Sequence, residues 1–291
     1  MNIGIIGRGF VGSAVEYGFS PQTGCDGASV RVYDKDPSKS QNTLEEVVTK
    51  SDFIFLSVPT PSNLDGSCNL DVVYSVMQDI NNLTDLNIPK SKRPVILVRS
   101  TVVPGTTRKI QKHFPALNIV FNPEFLTERS AKFDFINQSR YVIGGSKKNA
   151  SKVALLYQWR FGNTGAYIET NFETAELIKY MNNCFFATKV SFMNEMKLIA
   201  ERTNVDWETA VDGFVAVGRI GHSHLAVPGP DGKRGFGGSC FPKDIQAMIK
   251  LGEELGVNTS TLKGAWETNL SVRPEKDWEK LEGRAITKDK K

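Results

Sequence analysis

Residues 2–12 read Asn-Ile-Gly-Ile-Ile-Gly-Arg-Gly-Phe-Val-Gly, an apolar strand that runs directly into a glycine-rich turn. The spacing Gly7-x-Gly9-x-x-Gly12 is typical of dinucleotide-binding folds. Gly7 permits the tight turn, Gly9 lets a pyrophosphate approach the backbone, and Gly12 allows the next helix to pack closely on the strand. The residues after Gly12 predict that helix, and the N–H groups at its start would hold phosphates.

A second predicted strand, Val30–Tyr33, ends in Asp34, about 20 residues beyond the glycine motif. A carboxylate at this position accepts hydrogen bonds from ribose hydroxyls and repels a 2′-phosphate, so it predicts NAD rather than NADP. The alternative interpretation is a glycine turn in an unrelated α/β fold.

Apolar runs recur between helical segments through the rest of the first half, at residues 53–58, 95–98, 119–121 and 140–143. Continuous rather than alternating apolar runs predict a parallel sheet covered on both faces, a doubly wound α/β fold. Ligands of such sheets bind beyond the carboxyl ends of the strands, where Thr60, Thr101 and Glu124 fall. Each residue alone suits a cap or a turn, but the three together favour a functional site.

The second half is predicted to be helical, beginning with a long helix from Glu173 to about Arg202 that contains no proline or glycine. Its apolar residues cover more than one face, which is typical of a helix buried against more than its own domain. A homodimer interface is the simplest explanation. Lys179 and Asn183 emerge one turn apart, and they suit the stabilisation of an oxyanion; the alternative for the lysine is a solvated position over apolar neighbours.

Residues 235–244, Gly-Phe-Gly-Gly-Ser-Cys-Phe-Pro-Lys-Asp, place Cys240 between a glycine-rich loop and a predicted helix start. Pro242 suits the first turn of that helix. A helix N-terminus stabilises a thiolate, and Lys243 adds a full positive charge nearby. The sequence therefore predicts a reactive thiol at Cys240, with a buried structural cysteine as the alternative.

Composition bounds the functional classes. The net charge of +4 is too small and the basic residues are too scattered to indicate nucleic-acid binding. Four widely spaced cysteines favour neither a metal site nor a disulfide framework, and they indicate a reducing compartment. Residues His222 and His224 are interpreted as loop residues. Neither a signal peptide nor a membrane span is expected, so the predicted location is the cytoplasm.

Several motifs occur in a fixed order: GRGFVG, SVPTP with DGS, RSTVVPGTT, NPEFL with AKFDF, AELIKYMNN, GRIG and GFGGSCFPKD. This ordered set resembles the UDP-glucose/UDP-N-acetylmannosamine 6-dehydrogenase family, the nucleotide-sugar dehydrogenases that make uronic acids. The resemblance implies NAD-dependent four-electron oxidation of a nucleotide-sugar C6 alcohol to a carboxylate. In that reaction Cys240 forms a thiohemiacetal and then a thioester. The implied partners are a substrate, UDP-linked in the first instance, and a second copy of the chain.

The resemblance also assigns residue roles. It implies catalytic roles for Cys240, Lys179, Asn183, Asp244, Glu124 and Thr101. The implied cofactor-binding residues are Gly7, Gly9, Phe10, Val11, Gly12, Asp34, Val58, Pro59, Thr60, Thr101 and Lys243. The implied substrate-binding residues are Glu124, Phe125, Leu126, Lys179, Asn183, Arg219 and Gly237, the arginine reaching into the partner subunit's site.

Two departures from the family pattern stand out. Val217 replaces an aspartate two residues before Arg219, and the chain has no room for the family's third, UDP-binding domain after the helical region. The expected organisation is an NAD-binding domain over 1–170, a helical domain over 171–270 and a polar tail over 271–291. One alternative function is a non-catalytic binding subunit. Another is a one-step dehydrogenase of the 6-phosphogluconate type, which needs no thiol.

Overall fold

The computed structural model describes residues 1–288, and its first compact unit comprises residues 1–60 and 70–179. Strands form a single sheet in this unit: β1 (Asn2–Ile6), β2 (Ser29–Tyr33), β3 (Phe53–Leu56), β4 (Val95–Val98), β5 (Asn118–Phe121), β6 (Arg140–Gly145) and β7 (Ala166–Thr170). Their order across the sheet is β2-β1-β3-β4-β5-β6-β7. The first five strands are parallel to one another, which is the dinucleotide-binding arrangement predicted from residues 2–12.

Helices cover both faces of this sheet: α1 (Phe10–Gly18), α2 (Leu44–Thr49), α3 (Asp71–Asn87), α4 (Thr106–His113), α5 (Ala131–Ile136) and α6 (Lys147–Phe161). Alternate side chains of β3 enter two separate cores. Phe53 and Phe55 pack into the core that holds α1, α5 and α6 residues, whereas Ile54 and Leu56 pack into the core that holds α2, α3 and α4 residues. The apolar run of β3 is therefore continuous because the strand is buried on both faces, as predicted.

The far edge of the sheet departs from the purely parallel prediction. Strand β6 is antiparallel to β5, and β7 then pairs in parallel with β6. Strand β7 lacked a predicted counterpart because its side chains are mostly exposed or half-buried, so it has no apolar run to reveal it. This difference does not affect Thr60, Thr101 and Glu124, because these residues follow β3, β4 and β5, which pair in parallel.

The second unit comprises residues 61–69 and the chain from Tyr180 onward. The helix α7 (Phe172–Ala200) begins in the first unit and ends in the second, in agreement with the long helix expected from Glu173. It is followed by α8 (Trp207–Val215), α9 (Phe241–Glu254) and α10 (Ser260–Val272). Over residues 1–288, no helix has the length and apolar character needed to cross a membrane.

The segment expected to be a polar tail, 271–291, is folded over the part that the structure describes. A short 3-10 helix spans Asp277–Lys280, and Ile286 pairs with Ser62 in an isolated β-bridge. Trp278 and Ala285 are buried. Two apolar side chains anchor this stretch despite its charged composition. Residues 289–291, which belong to the same expected tail, lie outside the described residues.

Candidate active site

The first group of predicted site residues surrounds the turn between β1 and α1. Gly7 has a φ of +92°, and a Cβ there would lie 2.4 Å from the carbonyl oxygen of Ser57. A Cβ at Gly12 would lie 2.0 Å from the oxygen of Gly7, whereas a Cβ at Gly9 would meet nothing within 4 Å. Gly7 and Gly12 are thus required by the fold itself, and the backbone at Gly9 is open to a ligand.

Helix α1 starts at Phe10 and Val11, with Gly9 as its N-cap, and within residues 1–288 no side chain caps it. Its first N–H groups and the positive end of its dipole are therefore available to an anion. This turn lies at the carboxyl end of β1, and the next two strands of the chain, β2 and β3, lie on opposite sides of β1. Doubly wound sheets bind dinucleotides at this position. The residues present fit an NAD pyrophosphate.

Asp34 follows β2 directly, at the same edge of the sheet. One oxygen of its carboxylate accepts a hydrogen bond from the backbone N–H of Arg8, and the other accepts one from the N–H of Asp36 at 2.9 Å. The carboxylate is thereby fixed beside the glycine turn. Its role at the ribose stays a prediction.

The residues that follow β3 and β4 are tied together. The hydroxyl of Ser100 donates to the carbonyl oxygen of Val58 at 2.6 Å and accepts from its N–H at 3.1 Å. The hydroxyl of Thr60 donates to the carbonyl oxygen of Thr101 at 2.8 Å. Pro59 lies between these two connections, and both threonines are buried. Ser100 was not predicted as a site residue, although it lies in the RSTVVPGTT motif.

A buried ion pair joins the end of β5 to α7. Lys179 Nζ lies 2.8 Å from Glu124 Oε1 and also donates to the backbone oxygen of Glu124 at 2.6 Å. The other carboxylate oxygen accepts the N–H of Leu126 at 2.7 Å. The Lys179 and Glu124 side chains are only 4% and 5% exposed. The ammonium also lies 5.5 Å from the centre of the Phe125 ring.

Opposing effects act on the pKa of Glu124. Burial raises this pKa. The positive charge of Lys179, the hydrogen bonds from Lys179 and Leu126, and the charge of Arg99 lower it by a larger amount. The net pKa lies below the ordinary value, so the carboxylate is ionised and its geometry is fixed. Glu124 is held as an anion that can orient a water molecule rather than as a strong base.

Cys240 occupies the N-cap position of α9 in the second unit, with Pro242 in the first turn, as expected. No side chain within residues 1–288 caps this helix. The positive end of the helix dipole therefore acts on the thiol, which favours the thiolate. Ser239 Oγ lies 3.8 Å from Cys240 Sγ. Ser239 is a further buried polar group beside the sulfur that sequence reasoning did not single out.

Asp244 lies in the first turn of α9, and its carboxylate has one amide partner and one cationic partner. Asn183 Nδ2 donates to its Oδ2 at 2.6 Å, and Lys243 Nζ forms an ion pair with its Oδ1. Asp244 is 1% exposed. The pKa of Lys243 lies above its ordinary value because Asp244, and then the thiols of Cys240 and Cys68, outweigh the lowering effect of burial. A charged, hydrogen-bonded network thus adjoins Cys240.

The structure separates Lys179 and Asn183 chemically, although they lie one turn apart on α7. Lys179 bonds to Glu124, and Asn183 bonds to Asp244. The pair expected to share one oxyanion is thus engaged by two different carboxylates. Each side chain is preorganised by a partner more than 50 residues away in sequence.

The glycine-rich loop before Cys240 is held by α10. Arg273, 2% exposed on its side chain, forms ion pairs with Asp231 at 2.7 Å and Asp277 at 2.6 Å. A Cβ at Gly237 would lie 2.4 Å from the Arg273 guanidinium, so a larger residue there would displace the guanidinium from its present position. Asn269 bonds both backbone groups of Phe236, accepting at 2.7 Å and donating at 3.0 Å. Sequence reasoning missed Asn269 and Arg273; the available signal was their spacing of four residues, with Asn269 in the last turn of α10 and Arg273 directly after that helix.

Arg219 is exposed in the segment after α8, three residues before His222. His224 packs against the Phe186 ring, with centroids 4.1 Å apart. Burial and the charge of Lys189 lower the pKa of His224, which favours its neutral form. Over the described residues 1–288, no cluster of three or more histidine, cysteine or acidic side chains forms a metal-binding group.

Comparison with known proteins agrees with this arrangement. Residues 38–159 match the NAD binding domain of the UDP-glucose/GDP-mannose dehydrogenase family, and residues 173–271 match its central domain. The first match confirms the expected cofactor, NAD.

Curated relatives show the same relationship. The chain is 33% identical over 233 residues to the UDP-glucose 6-dehydrogenase TuaD of Bacillus subtilis, a match that covers 80% of this chain and 49% of TuaD. It is 34% identical over 246 residues to the UDP-glucose 6-dehydrogenase of Rickettsia prowazekii, covering 83% and 54%. The chain thus spans about half the length of these curated relatives.

A solved structure is also similar: the UDP-glucose dehydrogenase of the hyperthermophilic archaeon Pyrobaculum islandicum superposes with a TM-score of 0.80 at 29% identity. The superposition covers 93% of this chain and 68% of that one. The two domain matches occupy most of the sequence, in the family's order and on the units that carry the glycine turn and the Cys240 network. The chain belongs to the UDP-glucose/GDP-mannose dehydrogenase family.

Proposed function

We propose that this chain catalyses the NAD-dependent four-electron oxidation of a nucleotide-sugar C6 alcohol to the carboxylate, with Cys240 as the nucleophile. The observation that carries the proposal is the position of Cys240 at the uncapped start of α9, beside the Lys243–Asp244–Asn183 network. A one-step alcohol dehydrogenase needs no such thiol. The relatives named UDP-glucose 6-dehydrogenase support a UDP-linked sugar as the substrate.

The chemistry explains why a thiol is needed. Bound NAD+ supplies the hydride acceptor for each of the two oxidations. The aldehyde formed first has no alcohol oxygen to assist a second loss of hydride, so Cys240 adds to its carbonyl carbon and creates one as a thiohemiacetal. Oxidation of that adduct gives a thioester on Cys240, and water then releases the carboxylate and restores the thiol.

The chain's own residues divide the remaining work. We assign stabilisation of the developing oxyanion to the Lys179 ammonium and the Asn183 amide, each already fixed by a buried carboxylate. Glu124, kept ionised, orients the water that cleaves the thioester. Thr101 lies near the reacting centre, and Leu126, Arg219 and Gly237 contact the nucleotide sugar. Val217 is exposed two residues before Arg219, so the arginine lacks the aspartate usual in the family.

The proposal includes a homodimer. On the second-unit part of α7, Met181, Phe185, Phe192 and Ile199 are 45–64% exposed. Their spacing of four and then seven residues places them in one stripe along the helix. Phe214 of α8, itself exposed, extends the patch, with its ring 6.4 Å from that of Phe192. Apolar patches of this kind mark interfaces, and the same stripe on a second copy is a matching partner.

The proposed function is tested by the number of NADH molecules released for each sugar consumed. The purified chain, given NAD+ and a panel of UDP-, GDP- and dTDP-sugars, should release two NADH for each sugar consumed. Cys240→Ser should bind NAD+ normally yet stop at the aldehyde stage, because a serine hydroxyl is not ionised at neutral pH. Cys25→Ala, which removes a buried thiol in the first unit, is the matched control and should keep the full yield. One NADH per sugar from the intact protein would contradict the proposal.

The same assay distinguishes the proposed enzyme from a non-catalytic binding subunit. A non-catalytic binding subunit would bind NAD+ in a calorimeter and give no NADH with any sugar of the panel. The buried Lys179–Glu124 pair speaks against that alternative, because an ion pair sealed from water is costly to keep without a function.

A further inference from the structure

The segment 61–69 forms a closed hairpin beside the Cys240 region, within the second unit. Ser62 and Cys68 pair in an antiparallel bridge, and Asn69 donates its N–H to the carbonyl oxygen of Pro61 at 2.9 Å. The N–H of Asn63 bonds to the oxygen of Ser67 at 2.8 Å. These bonds fix the backbone on both sides of Cys68. None of the catalytic roles assigned above uses this cysteine.

The hairpin lies along one face of α9. Asp65 forms an ion pair with Lys250 at 3.7 Å, and a Cβ at Gly66 would lie 3.6 Å from Gln246 Cβ. Lys250, Gln246 and Lys243 follow one another at helical spacing toward the start of α9. The hairpin therefore runs from the third turn of α9 at Asp65 toward its first turn, which brings Cys68 to the Lys243 end.

The Lys243 side chain provides a link between the two cysteines. Its ammonium interacts electrostatically with both Cys240 and Cys68, besides its ion pair with Asp244. This interaction agrees with the backbone geometry, in which the hairpin lies along α9 and Cys240 is the N-cap of that helix. Both cysteines are partly exposed, so a small solute can reach them. A neighbouring cation stabilises a thiolate, which is the reactive form of a cysteine.

The other two cysteines differ from Cys68 and Cys240 in their burial, although the charge of Lys243 also acts on Cys184. Cys25 lies in the first unit, and burial raises its pKa. Cys184 is buried in α7, where its thiol lies 3.8 Å from the backbone oxygen of Asp244, and burial followed by the charge of Asp244 raises its pKa strongly. Both thiols remain protonated and shielded.

We propose that Cys68 and Cys240 form a reversible disulfide when the protein meets a peroxide, so that Cys68 is a resolving thiol for the nucleophile. In the first step the Cys240 thiolate attacks hydrogen peroxide; an S–O bond forms, the O–O bond breaks, and hydroxide leaves and is protonated to water. In the second step the Cys68 thiolate attacks the sulfenic sulfur. An S–S bond forms, the S–O bond breaks, and a second hydroxide leaves with the proton that Cys68 gave up. Two thiols are oxidised, and one peroxide is reduced to two waters.

The disulfide removes the nucleophile and protects it from further oxidation. A sulfenic acid without a neighbouring thiol proceeds to the sulfinic acid, which dithiothreitol does not reduce. A disulfide is restored by thiol–disulfide exchange. The formation of the bond is independent of the proposed dehydrogenase activity, and only its effect on turnover rests on that proposal.

The experiment treats the full chain with a slight excess of hydrogen peroxide, labels remaining thiols with a maleimide under denaturing conditions, and maps peptides without reduction. We expect a loss of about 2 Da, two fewer maleimide adducts than the four cysteines allow, and a peptide linking Cys68 to Cys240. NADH production should fall at least about tenfold, since the nucleophile is lost, and should return with dithiothreitol.

Two variants sharpen the test. Cys68→Ala should keep its activity before treatment, gain about 32 Da at Cys240 after it, and stay inactive in dithiothreitol. Cys25→Ala, the control, should behave as the wild type does. Oxidation of Cys240 without a link to Cys68, or a link from Cys240 to Cys184, would overturn the inference. Absence of NADH production from the reduced protein would contradict the proposed function instead and leave the peptide map unaffected.

Discussion

At the scale of single residues, the buried Lys179–Glu124 ion pair combines a cost in desolvation with a proposed catalytic role. Both groups are almost fully buried, and their charges compensate each other. Removal of one partner leaves a buried charge without compensation, which is far more damaging than replacement of both. The pair therefore allows a direct measurement of how strongly the fold depends on its site.

We predict that Lys179→Met lowers the free energy of unfolding by about 3–5 kcal/mol and raises the pKa of Glu124. The charge that lowers this pKa most would be gone. The double variant Lys179→Met/Glu124→Gln should recover a substantial part of the loss, because no buried charge remains. Urea denaturation at neutral pH measures all three proteins. Lys152→Met, at an exposed lysine of α6, is the control and should change stability by less than about 0.5 kcal/mol.

A loss in the double variant equal to that in Lys179→Met would show that the lysine acts through packing alone. The sequence could predict that both residues belong to a site, because each lies in a motif. It could not predict that they bond to each other, since 55 residues separate them and only the sheet order brings the end of β5 to α7.

At the scale of elements, Glu176 connects α7 to the start of α4. Its carboxylate accepts the N–H groups of Gly105 at 2.6 Å and Thr107 at 2.7 Å, so it caps a helix whose own N-cap is a glycine. Nothing in the local sequence of α4 indicates this cap. The cap comes from a helix more than 60 residues later, and the Asn269 and Arg273 contacts to the loop before Cys240 span more than 30 residues. The buried strands and the long helix were predictable from their apolar pattern, whereas the tertiary contacts that hold these elements in place were not.

We predict a pH-dependent stability from this cap. Burial raises the pKa of Glu176 to about 7 against the opposing effect of its two N–H donors. Because the pKa is higher in the folded chain than in the unfolded one, the stabilising effect is complete below about pH 4.5 and is lost as the pH rises through about 7. Between about pH 5 and pH 8, the wild type should therefore lose about 3 kcal/mol more than Glu176→Gln does.

Urea denaturation of both proteins at several pH values measures this difference. Comparison with the variant cancels the contributions of other titrating groups, such as His224. A parallel pH dependence in the two proteins would contradict the raised pKa. A steeper pH dependence in Glu176→Gln than in the wild type would mean that the pKa of Glu176 is lowered instead of raised.

At the scale of the whole molecule, the sequence predicted the class of fold and the family. Continuous apolar runs reveal buried parallel strands, and an ordered set of motifs is specific even when each motif is weak. The antiparallel β6 was not predicted, because strand direction leaves no trace in periodicity. The folded stretch around Trp278 was missed because two apolar side chains in a charged segment do not produce a pattern.

The exposed stripe on α7 yields the prediction for the assembled protein. If the stripe is the interface of a homodimer, each copy covers the other's Phe185 and Phe192, and a glutamate at either position would bury an unpaired charge there. Light scattering after gel filtration should give about twice the 32.2 kDa chain mass for the wild type and the single mass for Phe185→Glu/Phe192→Glu. The double variant should remain folded, because both side chains are largely exposed within one chain.

Leu86→Glu is the matched control, since Leu86 is 81% exposed on α3 and lies outside the stripe. It should leave the dimer intact. If Leu86→Glu dissociated the dimer while the double variant did not, another surface would be the interface. A wild type that is monomeric at concentrations far above those used for assay would exclude the homodimer. Because Arg219 is proposed to reach the partner's site, the monomeric variant should also lose NADH production while it still binds NAD+.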